Sequence, residues 1–353
     1  MNVVLFTAGA AMVLGTIGSA VRTVILPRGI PAKIASLVFV ATRRLFNLRL
    51  RKVDDYAVRD RVMALYAPLS LVALAIAWIA IVFTGYIAMF WSLGAHPLRV
   101  AFELSGSSLL TLGFLHPKDL PKVALAFTEA AIGLTLLALL ITYLPTLYGA
   151  FSRREVMVTL LEVRASSPPS GVAMIERYHR IRDLGELKEV FARWEEWFVE
   201  LEETHTSLPP LVYFRSPQAD HSWVTAAGAV LDGAALYDSS IRAEPTAELA
   251  LRAGYLALRR IADFFGVPYD PDPAPDDPVS IARDEFDAAL DRLAAAGVPL
   301  VEDRDIAWRS FKGWRVNYDT VLVTLAGLVM APYAPWSSDR SVNFRVRALR
   351  RVR

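Results

Sequence analysis

The chain has 353 residues, 54% of them hydrophobic, and 38 Lys and Arg stand against 36 Asp and Glu for a net charge of +2. So balanced a charge argues against nucleic acid as a general partner. The absence of cysteine excludes a disulfide framework, a Cys-based zinc site and a thiol nucleophile. The apolar residues concentrate before Tyr148, which divides the chain into an N-terminal membrane part and a C-terminal part long enough for its own core.

Met1 to Val21 reads as a spanning segment, and no basic residue precedes it as a secretory leader would require. We therefore expect an anchor helix. The next stretch carries Arg22, Arg28, Lys33, Arg43, Arg44, Arg49, Arg51, Lys52, Arg59 and Arg61. Within it, Pro31 to Leu50 alternates apolar residues with arginines, as a helix lying in the membrane interface does. Two adjacent arginines, Arg43 and Arg44, make full insertion costly.

Two long apolar runs follow, Tyr66 to Trp91 and Val123 to Tyr148, each sufficient to cross a hydrocarbon core of roughly 30 Å as a helix. The intervening segment, from Leu93 to Lys122, holds only Arg99, Lys118 and Lys122. By the positive-inside rule this loop lies outside, the basic stretch inside, and the C-terminal half in the cytosol behind Arg153, Arg154 and Arg164. The expected location is the inner (plasma) membrane, crossed several times.

Inside the loop, Leu98 to Leu110 forms a short helix pattern, with Pro97 preset for its first position. Such a helix covers roughly 20 Å, too little to cross a bilayer, so the chain must dip in and return. The return is Thr111-Leu112-Gly113-Phe114. Non-helical backbone at membrane depth is tolerated only where it lines water or is buried in protein. Main-chain carbonyls and a threonine hydroxyl can replace the hydration shell of a monovalent cation, and Gly113 permits backbone angles that a side chain would forbid.

At these residues the sequence resembles the pore-loop family of potassium channels, in which a pore helix precedes Thr-Val-Gly-Tyr-Gly-Asp. Thr111, Leu112, Gly113 and Phe114 take the first four places, while Leu115 and His116 stand where the family has its second glycine and its aspartate. Ala126 to Leu134 resembles the start of the family's inner helix, where an acidic residue precedes a hinge glycine by about one turn. The resemblance runs from Tyr66 to Arg154. It implies a homotetramer, with potassium or another monovalent cation as the permeant ion and no cofactor.

Supporting roles follow from position. Glu129 is expected behind the filter, bonded to Ser107, Ser108 or loop amides, and Glu103 on an exposed helix face. Gly133 is a candidate bending point for gating, close packing being the alternative. Pro145 is expected to kink or end the inner helix. His96 and His116 read as loop residues.

Ala165 to Gly171 has a linker composition, and helices are expected at Leu184 to Glu203, Gln218 to Ile241, Pro245 to Phe265, Pro278 to Ala296 and Asp303 to Ala331. Trp194, Trp197, Phe198 and Leu201 share a face and read as core. Thr320 to Met330 is apolar but too short to span a membrane and reads as a buried helix. The acidic, proline-rich stretch Tyr269 to Pro278 lacks the glycine and closing glutamate of an EF-hand and reads as a spacer. No phosphate-cradling loop, nucleophile elbow or His-Glu-x-x-His occurs, and the neighbours Asp220, His221 and Ser222 cannot face one another as a triad. An enzyme is not expected.

The expected fold is all-α: an anchor and interfacial helix over 1–60, a potassium-channel-type pore domain over 61–164, and a cytosolic helical domain over 172–353. Lipid, identical protomers and an unidentified ligand or protein at the cytosolic domain are the implied partners. Two other readings stand beside the channel. One is a non-conducting membrane scaffold, favoured by Leu115; the other is an enzyme acting through the C-terminal half, which a polar pocket there would favour.

Overall fold

The computed structural model describes residues 2–26, 32–53, 55–181 and 183–341. Arg28 and Pro31, part of the basic stretch read from the sequence, lie outside these residues. The described chain is all helical, with no strand, and three of its helices are long and apolar enough to span a membrane. It divides into two compact units, one of residues 1–54 and 62–149, the other of 55–61 and 150–353.

The N-terminal unit opens with α1 (Val3–Val24), whose first turn is capped by Asn2. After α2 (Lys33–Leu50), and α3 (Tyr56–Ala64) at the unit boundary, comes α4 (Tyr66–Ser92). α1 packs along α4 in antiparallel register, presenting Val13, Thr16, Ser19 and Ala20 as its buried face. Ser19 accepts a hydrogen bond from the Trp78 indole at 3.2 Å, so the one polar atom of that ring is satisfied inside an apolar seam. α2 packs against the start of α4. There Phe39 and Phe46 meet the Tyr66 ring edge-on, Arg43 lies over it, and the Tyr66 hydroxyl donates to the Phe39 carbonyl.

α5 (Leu98–Leu109) follows, and then α6 (Leu120–Ala165). With 46 residues, α6 is roughly 69 Å long, over twice the hydrocarbon thickness, so only part of it can lie in a bilayer. Pro145 does not end this helix, contrary to one of the two expectations for it. The proline removes one backbone donor, and the Thr146 hydroxyl donates to the Thr142 carbonyl at 3.1 Å beside the gap.

In the C-terminal unit the linker is only a turn over 166–170. α7 (Gly171–Ile181), not expected from the sequence, starts directly after it. Then come α8 (Leu187–Ser207), α9 (Trp223–Ser240), α10 (Pro245–Phe265), α11 (Arg283–Ala295), α12 (Arg304–Arg315) and α13 (Asp319–Val329). The last two replace a single expected helix over Asp303 to Ala331. α9 is buried all round, against α7, α10, α12 and α13, as its continuous apolar sequence requires. Trp194, Trp197, Phe198 and Leu201 lie in the core, and α13 is the buried helix expected over Thr320 to Met330.

Two buried polar clusters fix this unit. Asp232 in the middle of α9 accepts from Arg315 and from the Tyr318 hydroxyl, and Arg315 also reaches Asp319 at 2.7 Å and the Trp336 carbonyl at 2.6 Å. Burial opposes the Arg315 charge, but Asp232 and Asp319 outweigh it and hold the guanidinium above its ordinary pKa. The break between α12 and α13 follows: Arg315 and Tyr318 must both turn to one carboxylate. Segment 55–61 is tied into the same unit by Arg215, which pairs with Asp60 and donates to the Tyr56 hydroxyl and to the Val329 and Met330 carbonyls.

The second cluster joins α6 to α8. Arg154 is buried and donates to the Leu211 and Phe214 carbonyls, pairs with Glu155, and lies 3.2 Å from Nε2 of His205. A guanidinium only donates, so Nε2 accepts and Nδ1 holds the proton toward the Leu201 carbonyl at 2.9 Å. Burial, reinforced by the Arg154 charge, pushes the His205 pKa well below its ordinary 6.5. The unfolded chain takes up a proton there as pH falls through about 6.5, while the folded chain does not. The contribution of His205 to stability is therefore complete above that pH and declines below it, by about 1.4 kcal/mol per pH unit, a loss read as the difference from the variant below because Asp232, raised to about 6 by burial, acts in the opposite direction over the same range. Urea unfolding followed by tryptophan fluorescence should show that decline between pH 6.5 and 5.5. His205→Gln, which can still accept from Arg154 and donate to Leu201, should lose it.

Candidate functional site

The distinctive local structure lies between α4 and α6. The edge of the His96 ring meets Trp91 with centroids 4.4 Å apart, and Pro97 caps α5 from one place outside the helix rather than occupying its first turn. α5 packs on α4 through Ala101 and Leu104 and through an edge-to-face contact of Phe83 with Phe102. Glu103 pairs with Arg99 at 2.6 Å on the outer face.

At the end of α5 the backbone turns back on itself. The Ser107 carbonyl accepts from the amides of Leu112 at 2.8 Å and Gly113 at 3.4 Å, and the Ser107 hydroxyl accepts from the Leu115 amide at 3.2 Å. One serine thus satisfies three amides of the returning strand. Gly113 has φ of +69°, in the left-handed region that the sequence led us to expect, and a Cβ there would meet nothing within 4 Å. Thr111 also has a positive φ, +54°, which a β-branched residue adopts only against strain of about 1–2 kcal/mol. Composition gives no sign of that. Thr111, Leu112, Gly113 and Phe114 are exposed in the single chain, Leu112 at 61% and Phe114 at 62%, so two large apolar side chains lack cover.

Glu129 in α6 is fully buried, and its Oε1 accepts a hydrogen bond from the Ser105 hydroxyl at 2.5 Å. Its other oxygen has no hydrogen-bond partner among the described residues. The expected partners were Ser107 and Ser108. Ser107 serves the strand instead, and Ser108 donates to the Leu104 carbonyl of its own helix. Helical phase explains the change. Ser105 and Leu109 lie one turn apart on the face toward α6, opposite Glu129 and Gly133, also one turn apart. A Cβ on Gly133 would come 2.5 Å from the Leu109 carbonyl oxygen, so glycine here lets α6 approach the end of α5.

The sequence reading missed Thr135, Thr142 and Thr146, which form an exposed stripe on α6, each hydroxyl bonded to a carbonyl one turn earlier. Hydroxyls satisfied in this way can face either lipid or water. In the C-terminal unit, Asp220, His221 and Ser222 point to different partners: the Ser167 hydroxyl, Glu162 and the Val224 amide, respectively.

No protein-family profile, curated protein or solved structure matches this chain.

The Ser105–Glu129 contact can be separated from its neighbours. Ser105→Ala leaves the buried carboxylate without its donor and should cost about 1–3 kcal/mol, lowering the thermal midpoint of the detergent-solubilised protein. Ser108→Ala removes only a bond within one helix and should shift it far less.

Proposed function

We propose that the chain is a protomer of a homotetrameric channel for monovalent cations, potassium or a weakly selective set, in which Thr111 to Phe114 supply the oxygens that replace hydration water. The arrangement around α5 carries this reading. A helix too short to span lies between two that are long enough, and it ends in an exposed strand with two positive φ angles. That strand is held at three amides by one serine, and the helix before it bonds to a buried carboxylate. One strand cannot surround an ion, so symmetric copies are required.

In this assembly the exposed Leu112 and Phe114 side chains have neighbours to meet. Only 11% of the most apolar window of α6 is buried within the chain, which leaves the helix uncovered for other protomers and lipid. The threonine stripe offers hydroxyls to a water-filled cavity. In this reading the loop lies outside and the C-terminal unit in the cytoplasm, at the inner face of the plasma membrane, an orientation that the Lys and Arg placement supports. Gly133 keeps its packing role at α5, and a bend there would move α6 away from the loop.

Leu115 supports a second reading, a non-conducting scaffold. It stands where a second glycine would extend the carbonyl ladder, and its side chain packs into the core of the N-terminal unit. Flux of potassium into vesicles reconstituted with the purified protein separates the two. Wild type should conduct as a tetramer by mass. Gly113→Ala should fold and assemble, because the new methyl enters open space in the protomer, yet lose flux because alanine resists the +69° φ. A monomer, or unchanged flux in the variant, would remove the filter assignment.

A further inference from the structure

The C-terminal unit contains a cavity of about 410 Å³ between α6, α7 and α8, within the size range of small-molecule sites. Its floor is apolar and aromatic, with Leu161, Tyr178 and Trp194 buried around it. Val163 and Ile181, exposed at 68% and 64%, extend the apolar lining to the mouth. An apolar lining with a few polar groups at its edge is the make-up of small-molecule sites.

Three arginines line the same cavity: Arg164, Arg177 and Arg193. None has a carboxylate partner among the described residues. Among the described residues Arg164 donates only to the Leu160 carbonyl, Arg177 to the Val163 carbonyl and the Ser166 hydroxyl, and Arg193 is exposed with no hydrogen-bond or ion-pair partner. Two carboxylates also border the site, and both have another explanation. Glu186 already has a partner, and Glu189 lies in the first turn of α8, where the helix dipole favours a negative charge. The unspent charge at the mouth is therefore positive.

We infer that this cavity binds a small amphipathic anion, its apolar body on Leu161, Tyr178 and Trp194 and its carboxylate or phosphate group between Arg164, Arg177 and Arg193. Arginine suits such a head group because its fork of donors can grip two oxygens at once. The assignment does not depend on conduction.

Calorimetric titration of the full chain in a nonionic detergent, corrected for the protein-free micelle, tests it with 4-phenylbutyrate, its neutral amide and inorganic phosphate. The carboxylate should bind at least about tenfold more tightly than either control, the loss expected when a charge-assisted hydrogen bond or the apolar body is removed. Arg193→Glu and Arg164→Glu should each weaken it by a similar factor, while Arg193→Lys retains part of the affinity; Arg193 is exposed, so its variants keep the fold. Equal binding of the amide would show an apolar hollow without anion recognition. Equal binding of phosphate would show a bare anion site. Either result, no binding of the carboxylate, or an unchanged affinity in both glutamate variants overturns the inference.

Discussion

A backbone that leaves the helix between two membrane-length helices must find its hydrogen bonds inside the protein, and here Ser107 supplies them. Its carbonyl and hydroxyl together take the amides of Leu112, Gly113 and Leu115, so three donors of a segment outside regular structure are met within the protein. The surrounding geometry serves that turn. Gly133 brings α6 against the last residue of α5, and one helical turn away Glu129 locks onto Ser105. The side chains of Leu112 and Phe114 are left uncovered in the single chain.

The C-terminal unit solves a different problem, that of charge within a core. Asp232 sits in a helix buried on all sides and is tolerable only because Arg315 and Tyr318 converge on it; the further bonds of Arg315 to Asp319 and Trp336 then fix the path of the chain after α12. Arg154 is paired with the neighbouring Glu155 and also meets two carbonyls and a neutral histidine. Both clusters limit how the helices can pack, because alternative packings would strand a charge away from water.

Much of this was legible in the sequence. Length and hydropathy located α1, α4 and α6, the sub-spanning segment was visible as α5, and Pro245 and Gly266 bracketed α10 at both ends. The failures have several causes, of which dependence on partners distant in the chain is one. α7 was hidden behind Pro168 and Pro169, although Ser170, which accepts from the Ala173 amide, followed by Val172, Ile175 and Tyr178 at helical spacing, was a usable signal. The break at 316–318 contains no glycine or proline and is imposed by Asp232, over eighty residues earlier. Glu129 bonds to Ser105 and not to the expected Ser107 or Ser108, because its partner depends on the phase of α5 relative to α6. The positive φ of Thr111 had no signature, since threonine does not favour it.

Arg215 carries a lesson for dissecting the molecule. Its guanidinium joins Asp60 and Tyr56 to the carbonyls of Val329 and Met330, so the C-terminal unit includes a piece of chain that precedes the long apolar helix α4. A fragment begun at residue 150 would strip this arginine of the Asp60 carboxylate and of the Tyr56 hydroxyl. Supplying residues 55–61 as a fused or separate peptide would restore both partners, which makes this short segment the natural boundary marker for any expression of the C-terminal unit alone.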